Sequence, residues 1–202
     1  MPLSDSVVDL SHHNELEPNS GFHAMQGAGI QAVIHKATEG QSWSDPTYLS
    51  RYQRVQQTAL LWGSYHFGIG GNPTQQADFY LQTANPTASE AICLDFEDPS
   101  MSLAEAEAFV KRIFSQLGRY PILYTYTSFL RKVLGNKPSP TLSRCPLWIA
   151  RYAQSVGPLP PGFSRYWLWQ YTQSAQVAGV TNSVDRSRFN GTVQELQDSW
   201  PL

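Results

Sequence analysis

Long apolar runs, blocks of like charge and cysteines are all scarce in this 202-residue chain, and each scarcity removes a class of function. No stretch of about 18 apolar residues occurs, so no membrane-spanning helix is expected. The opening MPLSDSVVDL has neither a basic nor an apolar leader region and does not read as a signal peptide. Lys and Arg number 14 against 16 Asp and Glu, a net charge of −2 with no clustered run, so the footprint of a nucleic-acid binder is missing. Two cysteines are too few for a disulfide framework; Cys93 and Cys145 sit in or beside apolar runs and are expected buried and reduced. The histidines show no H-x-x-x-H and no Cys/His cluster at ligand spacing, so no metal is expected, and His12, His13, His35 and His66 read as hydrogen-bonded residues near a groove. The glycines at 68, 70 and 71 read as a turn, because Pro73 stands where a phosphate loop needs its third glycine. Ser11 and Ser64 lie in no G-x-S-x-G elbow.

Aromatics, by contrast, are plentiful: six Trp, ten Tyr and nine Phe, a surplus beyond ordinary core needs that suits the flat faces of sugars. The length fits one domain able to bury roughly 70% of its unfolded surface. Apolar runs rich in Val, Ile, Tyr and Trp recur at 7–10, 32–35, 60–67, 91–96, 121–126, 147–152 and 166–171, with a weaker one near 180–184. Helical patterns lie between most of them. One spans 48–61 with Tyr48, Leu49, Tyr52, Val55, Ala59 and Leu60 on a shared face. Another opens on the capping box Ser102-Leu103-Ala104-Glu105 and stops at Gly118. Near-continuous apolar strands separated by helices predict a parallel sheet covered on both faces, and about eight of them predict a closed barrel. The proline-rich loop at 153–165 leaves the last strands without a helix between them. The fold class is therefore α/β: an irregular, TIM-like barrel with about eight strands and fewer than eight helices. It is expected to be a single domain over 1–202 with its core at about 6–195, and with no separate cell-wall-binding domain.

Active groups in such barrels sit at the carboxyl ends of strands. Asp9 ends the first strand, Asp95 and Glu97 the fourth, and Asp185 follows the eighth. Residues two apart on a strand share a face, so Asp95 and Glu97 project together while Phe96 turns away. Mutual proximity and partial burial then let Glu97 hold a proton near neutral pH while Asp95 stays ionised, the division of labour that glycosidic cleavage needs. Asp98, before Pro99, reads as a turn residue.

The motifs VDLSHHN (8–14), HKATEG (35–40), GSYHFG (63–68), LDFED (94–98), ILYTY (122–126), LWIARY (147–152), WLWQYT (167–172) and VDRSRFNG (184–191) occur in order. Together they resemble glycoside hydrolase family 25, the Chalaropsis-type lysozymes. The resemblance implies a flattened, incomplete α/β barrel and a muramidase that cuts the β-1,4 bond between N-acetylmuramic acid and N-acetylglucosamine without a cofactor. It implies Glu97 as general acid, Asp95 as its partner, and Asp9 and Asp185 as further groove aspartates. Lys36, Tyr65, Tyr124, Tyr152, Trp169 and Gln170, in the matched motifs at strand ends, are the expected glycan contacts; Trp148 and Trp167 read as core.

The sugar's 2-acetamido group acts as internal nucleophile in families 18 and 20, and the same assistance is the favoured mechanism here. Direct displacement with inversion, water being held by Asp9 or Asp185, is the alternative. Two other functions fit the same barrel: a carbohydrate-binding protein without turnover, and a hydrolase of another N-acetylglucosamine polymer such as chitin. The expected partners are peptidoglycan strands, with secretion machinery and an immunity protein added if the chain is a bacterial effector. No nucleic-acid or membrane partner is expected, and the chain reads as a monomer. Action on a periplasmic or extracellular wall then requires export by a holin, specialised secretion or a trimmed leader.

Overall fold

Alternation of apolar strands with amphipathic helices leaves few ways to cover both faces of every strand, and the chain adopts the closed one. The computed structural model describes residues 3–135 and 137–201. Among them the elements run β1 (Ser4–Leu10), α1 (Gly21–Gly27), β2 (Ala32–Glu39), β3 (Trp43–Ser44), α2 (Tyr48–Val55), β4 (Leu61–Phe67), α3 (Pro73–Ala84), β5 (Ala91–Asp95) and α4 (Leu103–Leu117). There follow β6 (Ile122–Tyr126), α5 (Thr127–Leu134), β7 (Leu147–Ala150), β8 (Leu168–Ala175), β9 (Val184–Phe189) and α6 (Val193–Ser199). The sheet order is β1-β9-β8-β7-β6-β5-β4-β2, and β2 pairs back onto β1, closing an eight-stranded barrel. The two-residue β3 hangs on β2 as an antiparallel flap. The expected irregular α/β barrel is thus found, with the helix-free stretch between β7 and β8.

Two expectations about the strands need correction. The sheet is not wholly parallel: β9 runs antiparallel to both β8 and β1. Residues 176–183 are too few for the crossover that a parallel return demands. Nor is the weak run at 180–184 a strand; Val180 makes one isolated bridge to Leu16, and the strand begins at Val184.

Alternation sorts each strand's side chains into an inward and an outward set, the outward one of β7 and β8 forming its own cluster of Leu147, Ile149 and Trp169. Val7, Ala32, Ile34, Ala91, Cys93, Ile122, Trp148, Leu168 and Phe189 fill the barrel interior. Their neighbours Val8, Val33, Ile92, Leu94 and Leu123 pack outward beneath the helices, against Tyr80, Phe109 and Ile113. Gly63 serves the narrow interior: a Cβ there would stand 2.9 Å from that of Ala91 and 3.3 Å from the Trp200 ring. Both cysteines are buried and free.

Local signals shape the helices as expected in α4. Ser102 and Glu105 cap each other's backbone N–H groups, and Gly118 ends the helix at φ 69°. In α2 the expected apolar face is partly wrong, since Leu49 is 62% exposed while Arg51 is only 6% exposed. The guanidinium is buried because backbone carbonyls of the loop after β1 receive it.

Candidate active site

Strand parity brings the acids to one rim. Asp9, next to last in β1, and Asp185, second in β9, are direct partners across the antiparallel pair. The start of β9 lies at the carboxyl end of its parallel neighbours because β9 runs the other way. Asp95 ends β5, and Glu97 follows two residues later, with Phe96 turned outward and fully buried in the helix-covered layer. All four acids line one cleft of about 160 Å³, together with Lys36, Tyr65, Tyr124 and Gln170. A larger cavity of about 670 Å³ opens at the other end of the barrel. Its carboxylates are occupied elsewhere: Glu195 caps α6 through Thr192, and Asp198 accepts from Gln194. The chemistry therefore belongs to the smaller cleft.

Burial is the first cause of every carboxyl shift in that cleft, and like charge is the second for three of the four. Asp9 is raised well above the ordinary carboxylate range by burial and then by Asp185. Asp95 is likewise raised well above it, by burial and then by Glu97, with the Lys36 ammonium pulling the other way. Glu97 is raised by burial, then by Asp185 and Asp98. Asp185 is raised by burial, a rise that its interaction with Asp9 opposes. The free cleft thus favours proton retention on a set of coupled acids. Asp95, 7% exposed, lies deeper than Glu97, and both carboxyls are raised by burial first and by a neighbouring carboxylate second. The Oδ1 atom of Asp95 is buried with no hydrogen-bond partner among the described residues.

A polar chain fixes the opposite wall. The hydroxyls of Tyr124 and Tyr152 donate to Gln170 Oε1 at 2.9 and 3.0 Å, and Gln170 Nε2 donates to both oxygens of Asp9 at 3.0 and 3.1 Å. Two phenol donors on one side and a carboxylate on the other set the amide's orientation. Partial burial, followed by the charges of Asp185, Asp9 and Glu97, pushes the Tyr152 phenol up to about 12. Lys36 pairs with Glu39 at 2.7 Å, and its Nζ lies 4.8 Å from the Phe67 ring centre and 5.0 Å from that of Trp43.

Two expected contacts are not among the residues lining the cleft: Tyr152 reaches its wall only through Gln170, and Trp169 is turned away. It is 2% exposed on the outer face of β8, where its Nε1 donates to the Arg151 carbonyl and Arg188 lies over its ring. Adjacent residues of a strand face opposite ways, so with Gln170 inward Trp169 must turn out. Trp169→Phe is accordingly expected to leave kcat/KM within about twofold while costing roughly 1–2 kcal/mol of stability through one lost hydrogen bond and reduced packing; kinetics beside thermal melts check it.

Ser11, His13, Phe67 and Trp148 also line the cleft. The first two belong to VDLSHHN but lie past the end of β1 at Leu10, where the chain turns. Trp148 is buried as expected of a core residue, donates from Nε1 to Ser187 Oγ, and still floors the cleft. Among the histidines, His66 bonds Thr38 and Gln76 on the outer face, away from the groove.

The comparisons with known proteins bear on this geometry. The family described as Glycosyl hydrolases family 25 matches residues 8–180, a span that holds Asp9, Asp95 and Glu97 but stops short of Asp185. The chain is 29% identical to an N,O-diacetylmuramidase of Chalaropsis sp., over 90% of this chain and 93% of that protein. Among solved structures, it superposes on the bacterial lysozyme of Streptomyces coelicolor with a TM-score of 0.87 at 25% identity, covering 96% of this chain and 95% of the other. A muramidase from Trichobolus zukalii gives 0.83 at 28% identity, covering 96% and 97%.

Proposed function

The chain belongs to family 25 of the glycosyl hydrolases, and from that premise we propose that it cleaves the β-1,4 bond between N-acetylmuramic acid and N-acetylglucosamine in peptidoglycan, with Glu97 and Asp95 at the reacting bond. It is a glycoside hydrolase of the lysozyme type. The observation that carries the residue roles is the convergence of Asp9, Asp95, Glu97 and Asp185 on one cleft.

In this reading Glu97, half-buried at the cleft, protonates the leaving oxygen. Asp95, which lines the cleft, receives the N–H of the muramic acetamido group on its carboxylate. That bond favours the carboxylate of Asp95, and a sugar covering Glu97 disfavours its anion, so with substrate bound the proton sits on Glu97. The acetamido oxygen attacks the anomeric carbon as the glycosidic bond breaks, giving an oxazolinium-like intermediate; Glu97 then takes a proton from the water that opens it. Asp9, held by Gln170, and Asp185 steady the positive charge that develops on the sugar.

A wall substrate places the action in the periplasm or outside the cell. Export through a holin, a specialised secretion machine or a processed leader fits this, and the secretion route adds an immunity protein as partner.

Side-by-side digestion of peptidoglycan and chitin tests the reading. Reducing ends are expected from peptidoglycan at least about ten times faster than from chitin; the acetamido group is common to both, so the discrimination falls on the 3-O-lactyl group that chitin lacks. Faster release from chitin would replace the substrate, and no release from either would leave a binding protein.

A further inference from the structure

Besides the acids, two buried charged side chains, Asp45 and Arg51, hold the loop that forms one wall of the cleft, and the mechanism above does not use them. Asp45, 4% exposed, precedes α2, and Arg51, 6% exposed, lies within it. Arg51 Nη1 donates to the Ser11 carbonyl at 2.7 Å and Nη2 to the Asn14 carbonyl at 2.5 Å. Asp45 Oδ2 accepts from the His12 backbone N–H at 2.8 Å and lies 3.1 Å from His12 Nδ1. Its other oxygen accepts from the backbone N–H and hydroxyl of Thr47, which ties it to the start of α2. Residues 11–14 are thus gripped from beneath by two opposite charges, through their carbonyls and an amide.

His35 locks the grip. Arg51 is donor-only, so His35 Nε2, 3.0 Å from Nη1, must accept, and the ring proton must sit on Nδ1, which donates to the Lys36 carbonyl at 2.7 Å. Burial and the adjacent guanidinium push His35 down to about 4, so the ring stays neutral and the chain of bonds persists at neutral pH. The anchored loop follows Asp9 directly and carries Ser11 and His13, which line the cleft.

We propose that Asp45 and Arg51 are positioning residues: through the backbone of residues 11–14 they hold the wall formed by Ser11 and His13 in its sugar-binding shape. The substrate assignment rests on the muramidase reading; the anchoring itself does not. A planar fork reaching two carbonyls is what lysine's single ammonium cannot reproduce. A wall that touches sugar but not the scissile bond affects binding before it affects chemistry.

The test uses Arg51→Lys and Asp45→Asn in the full chain. On soluble peptidoglycan fragments both variants are expected to raise KM at least about fivefold with kcat within about twofold. Backbone amide exchange at residues 11–14 is expected to accelerate at least about tenfold, with the barrel strands unchanged. Unchanged KM, or a fall in kcat alone tracking the folded fraction, would overturn the role in binding. Unchanged exchange at residues 11–14 in folded variants would overturn the anchoring. The exchange arm reads out without turnover, so a wild type inactive on peptidoglycan would sink the substrate reading while leaving this one decided by exchange.

Discussion

Glu97→Gln is expected to reduce release of reducing ends from peptidoglycan by at least about 10³-fold while the protein stays folded. Glutamine keeps the side chain's size and its place at the cleft but has no proton to give the leaving oxygen and none to take from water. The loss falls on kcat, because a general acid acts in the transition state; KM is expected to change by less than about threefold. Glu97 follows the end of β5 and is not part of any core cluster, so its amide costs little packing. Single-turnover rates beside a thermal melt check this. A variant retaining a tenth of wild-type activity, or losing activity only as fast as it unfolds, would remove Glu97 from the role.

Asp95→Asn carries the second large effect, with an unusual sign in stability. Removing the anion that orients the acetamido group is expected to lower kcat at least about 10²-fold. Stability is expected to move the other way. Burial and the charge of Glu97 raise the folded carboxyl above its unfolded value, so the folded state binds this proton more tightly. That contribution is complete below the unfolded pKa and is lost as pH rises through the folded one. At neutral pH folding must therefore either bury the Asp95 anion or take up a proton, and the neutral amide avoids both costs. The variant is expected to melt at or above the wild-type temperature at pH 7, with the advantage shrinking toward pH 4. A lower Tm at pH 7 with unchanged activity would defeat both halves of the argument.

Much of this site is legible in the sequence because it is written in strand periodicity. D-x-E at the end of an apolar run places Asp95 and Glu97 together, whereas Ser11 and His13 reach the cleft from a turn beyond β1 that no period announces. Where both faces of a strand are apolar, the period loses its reference, and WLWQYT gives no sign of which of Trp169 and Gln170 looks inward. The direction of β9 is hidden for a different reason: strand polarity depends on the length of its connection, not on its own residues. Arg51 is hidden too. Helical patterning sends charge to solvent, and only the loop carbonyls contributed by residues 11–14 overturn that rule.

The seam between β1 and β9 makes the set of acids depend on closure of the ring. Asp9 and Asp185 face each other only because β9 inserts between β1 and β8. A substitution that unseats β9 would part these two acids without touching either, while Asp95 and Glu97, carried by β5 and the residues just after it, would stay side by side.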